Sequence, residues 1–179
     1  MSNERAKSLG KLFVFEKVPV PYWGLVGSLV LILGAVVSSI AYTGETGESY
    51  SFLNHFISEL GNLGVSELAG FFNGSLIVGG IFLFFYLLGL ALYVDNWIAR
   101  LGGLAGMFSS IACSFVGIYP MNYLEEHSIA AFSFFFGGLI TVLLFSVAIL
   151  VDKSQKFPKH FSLFGLAVAA CFALFLYYP

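Results

Sequence analysis

Between positions 54 and 67 the chain reads Asn-His-Phe-Ile-Ser-Glu-Leu-Gly-Asn-Leu-Gly-Val-Ser-Glu, gathering His55, Ser58, Glu59, Asn62 and Glu67 within an otherwise apolar sequence. On an α-helix, residues four apart share a face, so His55 and Glu59 would project together, with Ser58 nearly alongside. A second polar group, Glu125-Glu126-His127, lies farther along. Three kinds of chemistry suit these residues. His55, Glu59 and His127 form a ligand set of the type that holds a divalent metal such as Zn²⁺, and a metal there would make a bound water into a hydrolytic nucleophile. Without a metal, Glu59 and His127 could anchor a lipid headgroup or small ligand, the acids selecting positive charge, with Ser58 orienting Glu59 and with Asn73 and Tyr119 also facing the pocket. Alternatively, Ser58, Glu59 and His127 cap helix ends and bond across helices with no ligand, because polar groups near lipid must find partners inside the protein.

The elements that carry these residues follow from composition. Hydrophobic residues make up 59% of the chain, aromatic ones 18% and charged ones only 10%, against about 25% charged residues in soluble domains. This is the composition of an integral membrane protein, and 179 residues supply one domain with about five spans of roughly 20 residues. The expected all-α polytopic bundle has spans at about 22–42, 68–93, 101–118, 128–151 and 161–178, with a short polar helix at about 52–61. Residues 1–18 read as a cytosolic amphipathic segment, and 19–179 as a single bundle domain. Pro19 and Pro21 lead into the first span, and Tyr22, Trp23 and Tyr42 flank it as interfacial aromatics.

If the five spans alternate, all eight Lys and Arg residues fall on one side: Arg5, Lys7, Lys11, Lys17, Arg100, Lys153, Lys156 and Lys159. The positive-inside rule makes that side the cytosol and puts the amino terminus there. Glu45, Glu48, Glu59, Glu67, Glu125 and Glu126 then share the outer face with the polar cluster. The basic loop 152–159 reads as attraction to anionic inner-leaflet lipid, about 1 kcal/mol per charge.

Other motifs exclude more than they assign. No phosphate loop follows a strand, no nucleophile elbow is present, and the basic residues form no groove-like pattern, which disfavours nucleotide and nucleic-acid partners. Cys113 and Cys171 sit in apolar stretches as small packing residues. The pairs Gly70/Gly74 and Gly102/Gly106 have the small-xxx-small spacing of close helix packing, within one chain or between copies in a homo-oligomer. Asn73, inside the second span, is expected to bond a neighbouring helix.

Two stretches carry a family resemblance: Asn54-His55-Phe56-Ile57-Ser58-Glu59-Leu60-Gly61 with Phe71-Phe72-Asn73-Gly74, and Gly117-Ile118-Tyr119-Pro120 with His127 and Ala130-Ala131-Phe132-Ser133. In order and spacing, over roughly residues 20 to 178, the chain resembles the membrane proteins grouped as domain of unknown function 998. The resemblance implies a bundle that usually has six spans, where five are read here, and it implies a plasma-membrane location. In layout the family is distantly similar to eukaryotic proteins of the Frag1, DRAM and Sfk1 group, which implies a role connected with membrane lipids.

Overall fold

Each apolar run folds as a helix, and hydropathy by itself misses some of the helix ends. In the computed structural model, which describes residue 15 and residues 17–154 and 156–177, α1 is Val20–Ala41, α2 Ala69–Val94, α3 Trp97–Ile118, α4 Leu124–Val151 and α5 Phe161–Tyr177. α1 begins on Pro19 and Pro21, where a missing N–H costs nothing. α2 stops at Asp95, whose left-handed backbone (φ 56°) turns the chain. α3 starts four residues before the expected 101 because the Asn96 side chain accepts the Ala99 N–H at 2.8 Å. α4 likewise starts at Leu124 rather than 128, with Glu125 and Glu126 in its first turn, at the positive end of the helix dipole. The cytosolic N-terminal segment expected over 1–18 lies almost wholly outside the described residues.

Among the described residues, four helices are long and apolar enough to cross a membrane. The fifth, α5, has 17 residues, nearly all apolar, and extends about 26 Å at 1.5 Å per residue, near the lower limit for a span. The helices run up and down, each packed on its neighbour in the chain. Their register follows small residues. A side chain at Gly27 would strike Phe82 Cβ at 2.9 Å, one at Gly106 would strike Leu87 at 2.8 Å, and one at Gly137 would strike Ser109 Cβ at 3.0 Å. α3 is the narrow spine between α2 and α4, and Gly102, Gly103, Gly106, Ser109, Ala112 and Gly117 are all buried along it.

Gly102 and Gly106 thus pack inside the bundle, whereas Gly70 and Gly74 face open space. Most hydroxyls within the bundle bond to carbonyls, Ser38 of α1 being buried without a partner. Ser110 and Thr141 bond back within their own helices, to Gly106 and Gly137, and Ser109 and Ser114 reach across to Phe134 and Ile77. Such pairing is favoured where no water can serve as partner.

At the end expected to be cytosolic, the basic loop closes helix ends. Lys156 Nζ donates to the Tyr93 carbonyl of α2 at 2.6 Å, and Lys159 donates to the Leu150 carbonyl of α4. Cations are favoured at helix C-termini. Two of the ammonium groups expected to attract anionic lipid therefore already hold carbonyl partners.

Candidate functional site

The opposite end carries the polar cluster, built on the connection from α1 to α2. A tight turn opens it: Gly47 has φ 85°, which glycine adopts without strain, and Gly44 N–H bonds the Glu48 carbonyl at 2.9 Å. Thr46 donates from its backbone N–H at 2.9 Å and its hydroxyl at 2.5 Å to one Glu48 oxygen. That side-chain bond above all holds the Glu48 carboxyl below the usual carboxylate range.

Beyond the turn, the rings of Tyr42, Tyr50 and His55 pack on one another with centroids 5.4 to 5.7 Å apart. Burial raises the Tyr42 hydroxyl above its ordinary range, and the Glu59 charge adds to the effect. His55 Nδ1 accepts the Ser51 N–H at 3.1 Å, and Nε2 lies 3.8 Å from Glu48.

The α-helix expected over 52–61 does not form. Phe56 is extended (ψ 145°), and only Ile57–Gly61 is helical, as a 3-10 turn. His55 therefore precedes the helical turn, and the shared face expected for His55 and Glu59 is absent. Glu59 instead caps the turn: one oxygen accepts the Phe56 N–H at 2.7 Å, and the other accepts the Tyr42 hydroxyl at 3.4 Å. Leu60 is 1% exposed and packs with Tyr42 and Phe72, so the polar turn rests on a small apolar core.

Of the remaining predicted residues, Asn73 ties this turn to α2, Ser58 ties it to the α3–α4 connection, and His127 joins the start of α4 to the end of α3. Asn73 Nδ2 donates to the Gly61 carbonyl at 2.9 Å in a buried position. Ser58 Oγ contacts Met121 Sδ at 3.2 Å. His127 is buried in the first turn of α4, and its Nδ1 lies 2.7 Å from the Tyr119 carbonyl; since a carbonyl only accepts, Nδ1 carries the proton. Asn122, which sequence reasoning passed over as loop, clamps the two loops at this end of the bundle: Leu63 N–H donates to its Oδ1 at 2.8 Å and its Nδ2 donates to Leu63 O at 3.0 Å. The partners are 59 positions apart, so no local pattern announces them.

The metal reading is corrected by this geometry. His55 turns to Ser51 and Glu48, Glu59 to Tyr42 and Phe56, and His127 to Tyr119. Among the described residues no three His, Cys, Asp or Glu side chains converge as a metal site. With the 52–61 helix absent, the spacing that would have aligned His55 with Glu59 no longer operates.

Of the predicted ligand-binding residues, Tyr119 lines a concavity. A groove of about 320 Å³ runs between α3 and α4, with Phe108 and Phe115 on one wall, Ile129 on the other, and Tyr119, Glu126 and Ser133 as its polar members. Tyr119 stacks on Phe115 at 6.1 Å and meets Tyr123 edge-on at 6.4 Å. Glu126 is exposed. From Phe108 to Tyr119 the groove follows α3 for about 17 Å.

Residues 25–179 match the model of the family described as Protein of unknown function (DUF998). No curated protein and no solved structure matches the chain.

Proposed function

The chain belongs to the DUF998 family, and we propose that it is a cell-membrane protein that holds a lipid by its headgroup at the outer ends of α3 and α4. The observation that carries this reading is the groove. Its apolar walls run about 17 Å, the depth of one leaflet of a core about 30 Å thick, and its mouth sets exposed Glu126 beside exposed Tyr119. A carboxylate next to an aromatic ring favours a cationic nitrogen. The headgroup is therefore one that carries ammonium, and the walls take an acyl chain. Tyr119 and Glu126 touch the ligand, while Ser58, Glu59, Asn73, Asn122 and His127 are positioning residues that fix the rim. The one-sided distribution of Lys and Arg supports an amino terminus in the cytosol and this groove in the outer leaflet.

A second reading, a purely structural or partner-subunit bundle, is favoured by Glu59, both of whose oxygens are engaged within the protein. The two separate by experiment. Delipidated protein in detergent micelles is offered phosphatidylethanolamine and phosphatidylglycerol with the same chains, and retention is read by native mass spectrometry. The lipid reading expects the ethanolamine lipid to be retained about tenfold more, a difference of about 1.4 kcal/mol, and expects Glu126→Gln to erase the preference. Equal retention by the wild type, or a preference untouched by Glu126→Gln, overturns it in favour of the structural reading.

A further inference from the structure

A second groove, about 280 Å³, lies between α2 and α3, floored by Gly80, Ser110 and Ser114 and walled by Ile81 and Phe84. It shares two wall residues, Ile111 and Phe115, with the groove between α3 and α4. Four apart, these side chains stand one above the other on one face of α3, and they are 47% and 44% exposed. Tyr119, a further four residues on, stacks on Phe115 and continues the line outward. The result is a single ridge with an apolar trough on each side, ending at an aromatic ring close to the Glu126 carboxylate. The antiparallel register sets the second trough's depth: Gly117 of α3 packs at the level of Asn73 and Ile77, and Gly80 at the level of Ser110 and Ser114. The second trough therefore opens at Phe115, one helical turn below the mouth of the first.

Resting on the lipid reading above, we propose that the occupant is a two-chain amphiphile astride α3, its ammonium headgroup over Tyr119 and Glu126, one chain between α3 and α4 and the other between α2 and α3. A single-chain lipid would fill the first trough and leave the second, with its Gly80 floor, to bulk lipid. Two chains bury the apolar surface on both sides of the ridge, and retention scales with apolar area covered.

The test offers delipidated protein in detergent micelles equal amounts of a diacyl phosphatidylethanolamine and its single-chain lyso form, read by native mass spectrometry. The wild type is expected to retain the diacyl form about tenfold more. Ile81→Trp fills the second trough from its exposed face and is expected to lower diacyl retention to the level of the lyso form; Ile81→Phe, a smaller change for the fold to absorb, is expected to move it the same way. Equal retention of both forms by the wild type, or a diacyl preference that survives both substitutions in folded protein, overturns the two-chain assignment. Glu126→Gln is expected to weaken retention of both forms. If it weakens neither, the headgroup site itself fails, and the two failures are told apart.

Discussion

Replacing Asn73 by Leu isolates what holds the Ile57–Gly61 turn to the bundle. The side chain is close in size, so the change removes a donor with little loss of volume. The bond lost is Asn73 Nδ2 to the Gly61 carbonyl, 2.9 Å and buried. A buried acceptor left unpaired costs about 1–3 kcal/mol, and hydrogen bonds at membrane depth measure at the low end, up to about 1.7 kcal/mol. About 1–2 kcal/mol is therefore expected, which multiplies the opening of the turn about 5- to 30-fold. Hydrogen–deuterium exchange reads this opening directly. The amides of Asn62, Val65 and Ser66 bond to the Glu59 and Asn62 carbonyls and should exchange faster by that factor, while those in the middle of α3 keep their protection. Leu60→Ala supplies the scale: at 1% exposure it should cost about 2–5 kcal/mol and open the same amides further. Unchanged exchange at Asn62 to Ser66 in Asn73→Leu would refute the argument. So would an equal loss through α3, because Asn73 would then be holding the helices together and not the turn.

The glycines divide into two groups with opposite expectations. Gly103→Val drives a side chain into Ala91 of α2 and should cost about 1–3 kcal/mol by overpacking, whereas Gly70→Ala and Gly74→Ala meet nothing within 4 Å and should stabilise by about 0.5–1 kcal/mol each; thermal melts in detergent separate the cases, and destabilisation by the latter pair would refute the open face. The Gly44–Glu48 turn should loosen in acid. Because the folded Glu48 carboxyl lies below its ordinary value of 4.5, through Thr46 first and with the His55 ring acting in the same direction, its contribution is whole above that value and is lost as pH falls through the lowered one. Protection of residues 43–49 should decline below about pH 4.5 and Thr46→Val should shrink the step; a flat profile from about pH 6 to 3 refutes it. In intact cells, with Cys113 and Cys171 replaced by Ala, an impermeant maleimide should label Glu45→Cys and spare Lys153→Cys, and the reverse pattern would invert the topology.

Apolar length and one-sided charge made the spans legible, because both are properties of a stretch and survive any error in register. Helix starts were less so. Hydropathy marks where a helix enters the apolar layer, whereas α3 itself begins earlier, where the Asn96 side chain satisfies the Ala99 N–H. The outer cluster was legible as a cluster but not as a geometry. The His55–Glu59 spacing implied one helical face, and the extended Phe56 between them removes it, stabilised by contacts with Ser51, Tyr42 and Asn73 that come from outside the segment.

The grooves were not legible at all, since each depends on which small residues of two helices come level. Gly80 makes a trough only because it meets Ser110 and Ser114, and their spacing in sequence carries no trace of that meeting. The same distinction bears on function. A set of His, Ser, Asn and carboxylate groups reads alike whether it binds a ligand or ties loops together, and what separates the cases is which groups are already taken. Glu59 has both oxygens engaged and His127 donates its Nδ1–H to the Tyr119 carbonyl, so these groups, the most conspicuous in the sequence, are already taken. Glu126, in the first turn of α4, stands exposed where an apolar trough reaches the surface. On the lipid reading proposed above, a carboxylate next to an apolar trough selects an amphiphile by its charge as well as its chains, and that reading puts the ligand on α3 and α4, away from the sequence's most polar stretch.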